Sequence, residues 1–184
     1  MSYEMTDTSR PLDPSVRVRD GLREYLGENG FSAAEYTAST VRLKILGRYM
    51  DFPNTKDRQW AIPLHDLHHI ATGYGTDWVG EGEIGAWELG AGCKTLVVYW
   101  LNAMAASIGL CLAPRRVLAG WRAGRAGRAL YRTELPYERV LDMTIGELRA
   151  HLGVPPTGLA GPRKLHTDAE AARAQGASLV PRAT

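Results

Sequence analysis

An all-α fold, a single-domain helical bundle, is what this sequence predicts, and three observations predict it. Helix-start signals recur along the chain: Asp13-Pro14, a capping box from Ser32 to Glu35, and a second box from Thr144 to Glu147. Apolar residues recur at helical spacing, and no strong strand alternation stands out. The longest apolar run, Thr95 to Ala113, could begin as a strand, but it continues into Ala- and Met-rich sequence that prefers helix.

Each element follows in order. Residues 1–12 read as a flexible lead-in without the apolar core of a secretory signal. A first helix is expected from the Asp13-Pro14 cap to near Gly27. The Ser32 box opens a second, on which Tyr36, Leu43 and Leu46 recur at helical spacing. Met50 to Asp57 reads as a loop by its Pro, Asn and Asp content. A short helix over 65–73 is broken by "GYGTD", and another begins near Asp77, carrying Glu81, Ile84 and Glu88. The Thr95–Ala113 run reaches the lower bound for a membrane span. Asn102, Ser107 and Gly109 dilute it, so a buried central helix is the expectation. Pro114 opens an Arg-studded helix, and the Thr144 helix stops at Gly153. The domain is then residues 13–156, and the small, polar residues of 157–184 form a weakly ordered tail.

Composition narrows the function classes. A chain of 184 residues suits one domain with a real core. A net charge of +2 gives no basic excess for tracking phosphates, so nucleic acid is excluded as a partner. Cys93 and Cys111 form no CxxC pair, which suits a reducing cytoplasm.

The chemistry concentrates in "HDLHHIATGYGTDWVGE", residues 65–81. His65 and His69 stand four apart, so a helix stacks both imidazoles on one face, where they can grip one ion. Asp66 lies about 100° around the helix from His65 and reaches that ion only from the edge. Glu81 arrives from the next helix once the chain has turned back. Two imidazoles and one or two carboxylates make a mixed N/O site suited to Zn, Fe(II), Mn or Co. Asp66 or Glu81 could equally stay off the metal as a general base. His68 has no assigned role. Histidines and acids also gather at helix ends for capping and salt bridging, and spacing alone leaves both readings open.

These residues resemble the coenzyme Q biosynthesis protein 4 family. Its hallmark is His-Asp-x-x-His, eleven residues, then Glu, matched here by His65, Asp66, His69 and Glu81. Gly73, Gly80 and Glu88 fall where the family has Gly, Gly and an acid. Leu135 to Pro156 is similar to its C-terminal segment, with Tyr137 in place of Trp. The resemblance covers roughly residues 30 to 156. It implies a compact helical fold with an apolar cavity beside a metal site. His65, Asp66, His69 and Glu81 would be the ligands of a divalent metal, often described as zinc. The implied role is quinone-ring maturation: binding a small aromatic or prenylated aromatic intermediate, assembling the biosynthetic complex, and oxidative decarboxylation that replaces a ring carboxyl with hydroxyl. The family's Arg-rich lead-in is missing; "RQWAIPLHD" stands there instead. A tailoring enzyme on another phenolic scaffold, or a non-catalytic prenyl-lipid-binding scaffold, are the alternatives.

Other features point more weakly. Arg122, Arg125, Arg128 and Arg132 share about a third of a helix circumference. They read as a grip on a substrate anion or an anionic lipid surface, or as a solvated face. Trp60, Trp78 and Trp87 bracket the motif and wall an aromatic pocket or simply pack. Trp78, Arg122 and Arg125 are the substrate-binding candidates. Peripheral contact with the inner face of the membrane and a homodimer are compatible with this reading. A phosphohydrolase of the His-Asp type needs an earlier His ligand, and none precedes His65.

Overall fold

The computed structural model describes residues 9–45 and 48–160. Leu46 and the segments 1–8 and 161–184 lie outside the described residues. The body is helical: α1 (Val18–Asn29), α2 (Lys56–Thr72), α3 (Trp78–Ala91), α4 (Leu96–Leu112), α5 (Pro114–Ala126), α6 (Tyr137–Leu141) and α7 (Ile145–Leu152). Short 3-10 turns occupy Ala33–Thr37 and Leu130–Arg132.

One β-hairpin interrupts this pattern and corrects the helix expected from Ser32. β1 (Thr40–Ile45) and β2 (Arg48–Pro53) pair antiparallel from Thr40↔Pro53 to Ile45↔Arg48. The signal was present in the sequence: Val41, Leu43 and Ile45 alternate with Arg42 and Lys44. The Ser32 box yields only the 3-10 turn. β2 also takes up the first half of the expected 50–57 loop, and Thr55 then caps α2, its hydroxyl accepting from the Arg58 amide at 3.4 Å.

α1 starts later than Asp13-Pro14 suggested. Asp13 caps a local turn instead, accepting from the Ser15 amide and hydroxyl at 2.8 and 2.7 Å. Arg17 is held extended by its bridge to Thr144, so helical geometry begins at Val18. The last stretch of the lead-in is tied down: the Arg10 amide donates to the Gly73 carbonyl at 2.9 Å, and Leu12 packs on the core. Leu159 and Ala160 donate to the Thr72 carbonyl, so ordered structure also runs past Pro156. Thr144 and Glu147 form the expected capping box, and Gly153 ends α7 in the left-handed region (φ 73°).

The core gathers α1, the C-terminal half of α2, Trp87 of α3, and α6–α7. Arg149, buried on α7, donates to the Ala71 and Pro156 carbonyls at 2.8 and 2.7 Å, tying the end of α2 to the segment after α7. α3 is the central element, with α4 and α5 both laid against it. The α3–α5 contact is backbone on backbone: a Cβ at Gly124 would fall 2.1 Å from the Trp87 carbonyl oxygen. Gly124→Ala is expected to destabilise the fold by on the order of 3 kcal/mol, read from the urea midpoint. An unchanged midpoint would mean that the two helices separate freely.

α4 departs most from expectation. Thr95 caps it and it is helical throughout, but it is not central. Only Val98, Asn102, Ala106 and Gly109 are buried, while Leu96 and Trp100 stand 78% and 69% exposed. No helix among the described residues is long and apolar enough to cross a membrane.

Candidate metal centre

The two-helix geometry of the site follows from the local sequence. α2 stacks His65 and His69 on one face. It ends at Gly73, and the chain reverses through Tyr74–Thr76 to Asp77. The Asp77 carboxylate accepts from the Val79 and Gly80 amides at 2.9 and 3.3 Å and starts α3. The turn lies so close to α3 that a Cβ at Gly80 would meet the Gly75 carbonyl oxygen at 2.1 Å. Only glycine lets the first turn of α3 approach, and that turn carries Glu81.

His65, His69 and Glu81 come together as a group that could hold a metal ion. Nε2 of His65 lies 3.1 Å from Nε2 of His69. Glu81 closes the triangle, with Oε2 3.5 Å from His65 and Oε1 3.6 Å from His69. Three ligand atoms around one ion at about 2.0–2.2 Å stand about this far apart.

The protonation pattern strengthens the fit. His69 Nδ1 lies 3.0 Å from the Tyr74 carbonyl, which can only accept, so Nδ1 carries the hydrogen and Nε2 is left bare. His65 Nδ1 points to Glu88 Oε1 at 2.9 Å, and the same logic leaves its Nε2 as the ligand atom. The two Nε2 atoms face each other 3.1 Å apart, and their lone pairs repel unless a proton or a cation lies between them.

Glu88 is the residue whose role the sequence did not show; it stood only as a position on the Asp77 helix and a match to the family pattern. It is fully buried and saturated. Oε1 accepts from His65 and from His68 at 2.6 Å. Oε2 accepts from Asn102 at 2.5 Å and Tyr131 at 3.0 Å. His68 thereby gains the role it lacked. Its Nε2 accepts from the Leu130 amide at 2.9 Å, so its Nδ1–H must donate to Glu88. It is a buried brace and not a ligand. The sequence hint was the lone Asn102 inside an uncharged run, since a buried amide needs a partner.

The other candidates separate. Asp66 is outside the group of three. Its carboxylate accepts from the Tyr36 hydroxyl at 2.5 Å and lies near Tyr25, whose ring stacks on His69 at 5.6 Å. The helical offset from His65 turns it toward those tyrosines. Trp78 is partly exposed one turn before Glu81. Trp87 is buried against His68, and Trp60 lies against Tyr131, so the three tryptophans wall no common pocket. Arg122 and Arg125 are exposed on α5, and among the described residues neither pairs with a carboxylate. The cavity adjoining His69 is about 30 Å³ and mixed in lining, with Tyr25, Asn29 and Thr76 beside Leu12 and Ile70.

Burial opposes charge on His65, but Glu88 and Glu81 overcome it and hold its pKa well above 6.5. Burial instead dominates at His69 and lowers its pKa. Glu81 is held low against its burial by His69 and His65. Burial pushes the Asp66 carboxyl up to about 6, against the pull of His65 and Tyr36. The signs are opposite for the two imidazoles. Protonated His65 stabilises the metal-free fold below pH 6.5, and that contribution is lost as pH rises through its raised pKa. Neutral His69 contributes above pH 6.5 and is lost as pH falls through its lowered pKa. A metal ion must displace the His65 proton, so binding at pH 7 is expected to release about one proton per ion. Calorimetry in buffers of different ionisation enthalpy reads this number. No proton release would show that His65 Nε2 is already bare.

No family model, curated protein or solved structure matches this chain.

Proposed function

We propose that this chain is a metal-dependent enzyme acting on a carboxylated or hydroxylated aromatic ring, as the resemblance to the coenzyme Q biosynthesis protein 4 family implies. The observation that carries the metal is the pair of facing Nε2 atoms 3.1 Å apart beside the Glu81 carboxylate. Two imidazoles and a carboxylate suit Zn, Fe(II), Mn or Co, and three protein ligands leave an ion with open positions, unlike a closed structural site. Such an ion supplies Lewis-acid polarisation and, if redox-active, access of dioxygen to the ring.

The chain's own residues do the rest. His65 and Glu81 keep 24% and 32% of their side-chain surface open, which is the side for a substrate to approach. Trp78 offers an aromatic ring one turn from Glu81. Asp66, titrating near pH 6, is the group beside the site able to take or give a proton close to neutrality. Tyr36 orients it. Glu88 and the Tyr74 carbonyl hold the two imidazoles with Nε2 inward.

The reaction best supported by the motif resemblance is replacement of a ring carboxyl by hydroxyl: the carboxyl leaves as carbon dioxide, water supplies the ring oxygen, and dioxygen takes up the two electrons and two protons to leave as hydrogen peroxide. A tailoring reaction on another phenolic scaffold is the second reading. It is favoured by the apolar "RQWAIPLHD" approach in place of an Arg-rich one. The test loads the protein with each metal and follows a panel of phenolic acids by product mass and carbon dioxide release. Turnover by wild type that disappears in folded Glu81→Ala supports an enzyme. Metal-loaded protein that binds ring compounds and converts none of them would leave a scaffold.

A further inference from the structure

One arginine on the helix that carries both imidazoles has no partner. Arg58 stands in the first turn of α2. At 100° per residue it falls within about 20° of both His65 and His69 around the helix axis. It therefore shares their face, about 10 Å before His65 along the helix. Between them on that face lie Ala61, buried, and Ile62, half-buried, so the strip from Arg58 to the candidate metal centre is apolar.

The side chain of Arg58 is half-buried, and its Nη1 is buried without a hydrogen-bond partner. Among the described residues no carboxylate pairs with it, and burial lowers its pKa with no acid to offset the effect. Its neighbours already tie this end of α2. Thr55 caps the helix, Gln59 Nε2 donates to the Ala38 and Asn54 carbonyls at 3.4 and 3.0 Å, and Asn54 Nδ2 donates to the Ala38 carbonyl at 2.8 Å. Arg149 also has one unpartnered nitrogen, but two others hold backbone carbonyls, which gives it a structural task. Arg58 has no such task. A buried donor left unpaired costs free energy, so this one calls for an acceptor from outside the chain.

We propose that Arg58 is the anion anchor of the site: its guanidinium holds a carboxylate that the aromatic substrate retains, while the ring lies over Ala61 and Ile62 with its reacting end toward His65 and Glu81. This rests on the metal-dependent reading above and adds the substrate's second polar group. A planar fork of N–H donors matches a carboxylate in a way a lysine does not. The group held there is not the one lost, since Arg58 stands about two helical turns from His65. Arg58 thus selects ring compounds with an acid arm over neutral ones. The sequence candidates Arg122 and Arg125 lie exposed on α5, on another helix from the two imidazoles.

The test is equilibrium dialysis of para-hydroxyphenylpropionate and of its methyl ester against the full-length protein, metal-free and loaded with Co(II). Loaded wild type should bind the acid about ten-fold or more tightly than the ester. Arg58→Gln should erase that preference by weakening the acid alone, and Arg58→Lys should restore part of it. Co(II) affinity should be the same in all three proteins. The urea midpoint separates an anchor from a structural arginine: Arg58→Gln should not lower it, because no partner is lost. Wild type that binds neither compound, or both equally, overturns the proposal. So does an acid preference that survives Arg58→Gln, or a lowered urea midpoint in that variant. Failure of the metal reading shows separately, as no uptake of Co(II). The metal-free arm then decides: an acid preference that Arg58→Gln removes upholds the anchor, and its absence overturns it.

Discussion

Glu88→Gln is expected to cost about 3–5 kcal/mol of stability, because it strips the charge from a buried carboxylate that four donors share. An amide has one acceptor oxygen and two N–H donors, so at least one of those four partners would face a donor. The effect reaches the candidate metal centre through His65, whose Nδ1–H loses its acceptor and whose ring is then free to turn. Metal affinity of the folded variant is expected to fall 10–100-fold. Titration of the apoprotein with Co(II), followed by its visible spectrum at low temperature, separates this from general instability. A pH series adds a control. His65 and His68 hold the Glu88 carboxyl far below its usual range despite burial. Its contribution is therefore present above pH 4.5 and lost as pH falls toward its lowered value. Wild type should lose that increment on acidification and Glu88→Gln should not. Equal stability and equal Co(II) affinity in the two proteins would remove Glu88 from the account.

Metal binding itself is expected to stabilise wild type by about 4 kcal/mol at a free metal concentration a thousand times Kd. His69→Ala and Glu81→Ala should remove most of that increment, each taking away one corner of the triangle. The metal-free stabilities report something different. His69 is buried and stacked on Tyr25, so its loss also costs packing. Glu81 is partly exposed, and Glu81→Ala should leave the metal-free fold close to wild type. Chemical melts with and without metal resolve both quantities. A variant stabilised by metal as much as wild type would place the ion elsewhere.

How much of this was legible in the sequence depends on the length scale of each signal. Helix ends marked by Asp77, Thr95 and the Thr144 box came through because a cap is a local hydrogen bond between residues two or three apart, and Pro114 because its fixed φ suits the first helical position. The hairpin at Thr40–Pro53 was lost because Tyr36 and Leu43, seven apart, also satisfy helical spacing, and the capping box at Ser32 tipped the reading. The burial of α4 was misjudged for a different reason. Composition shows that a segment is apolar, not what covers it, and among the described residues only one stripe of α4 is covered. At the candidate site, His65, His69 and Glu81 were readable from i,i+4 spacing and a turn of fitting length. The Glu88 hub was not, since it joins α2, α3, α4 and the turn at Leu130 across long stretches of sequence. Motif spacing records the position of Asp66 on the helix, and not the pull of the Tyr36 hydroxyl on its carboxylate.

The most direct test of the central claim is metal content by mass spectrometry on untagged protein, beside folded His69→Ala and Glu81→Ala. The account predicts about one divalent ion per chain in wild type, as a His65–His69–Glu81 site requires, and its loss in both variants. Wild type that carries no metal, even after reconstitution with Zn, Fe(II), Mn or Co, would contradict it. The close pair of imidazoles would then have to be explained by a shared proton alone.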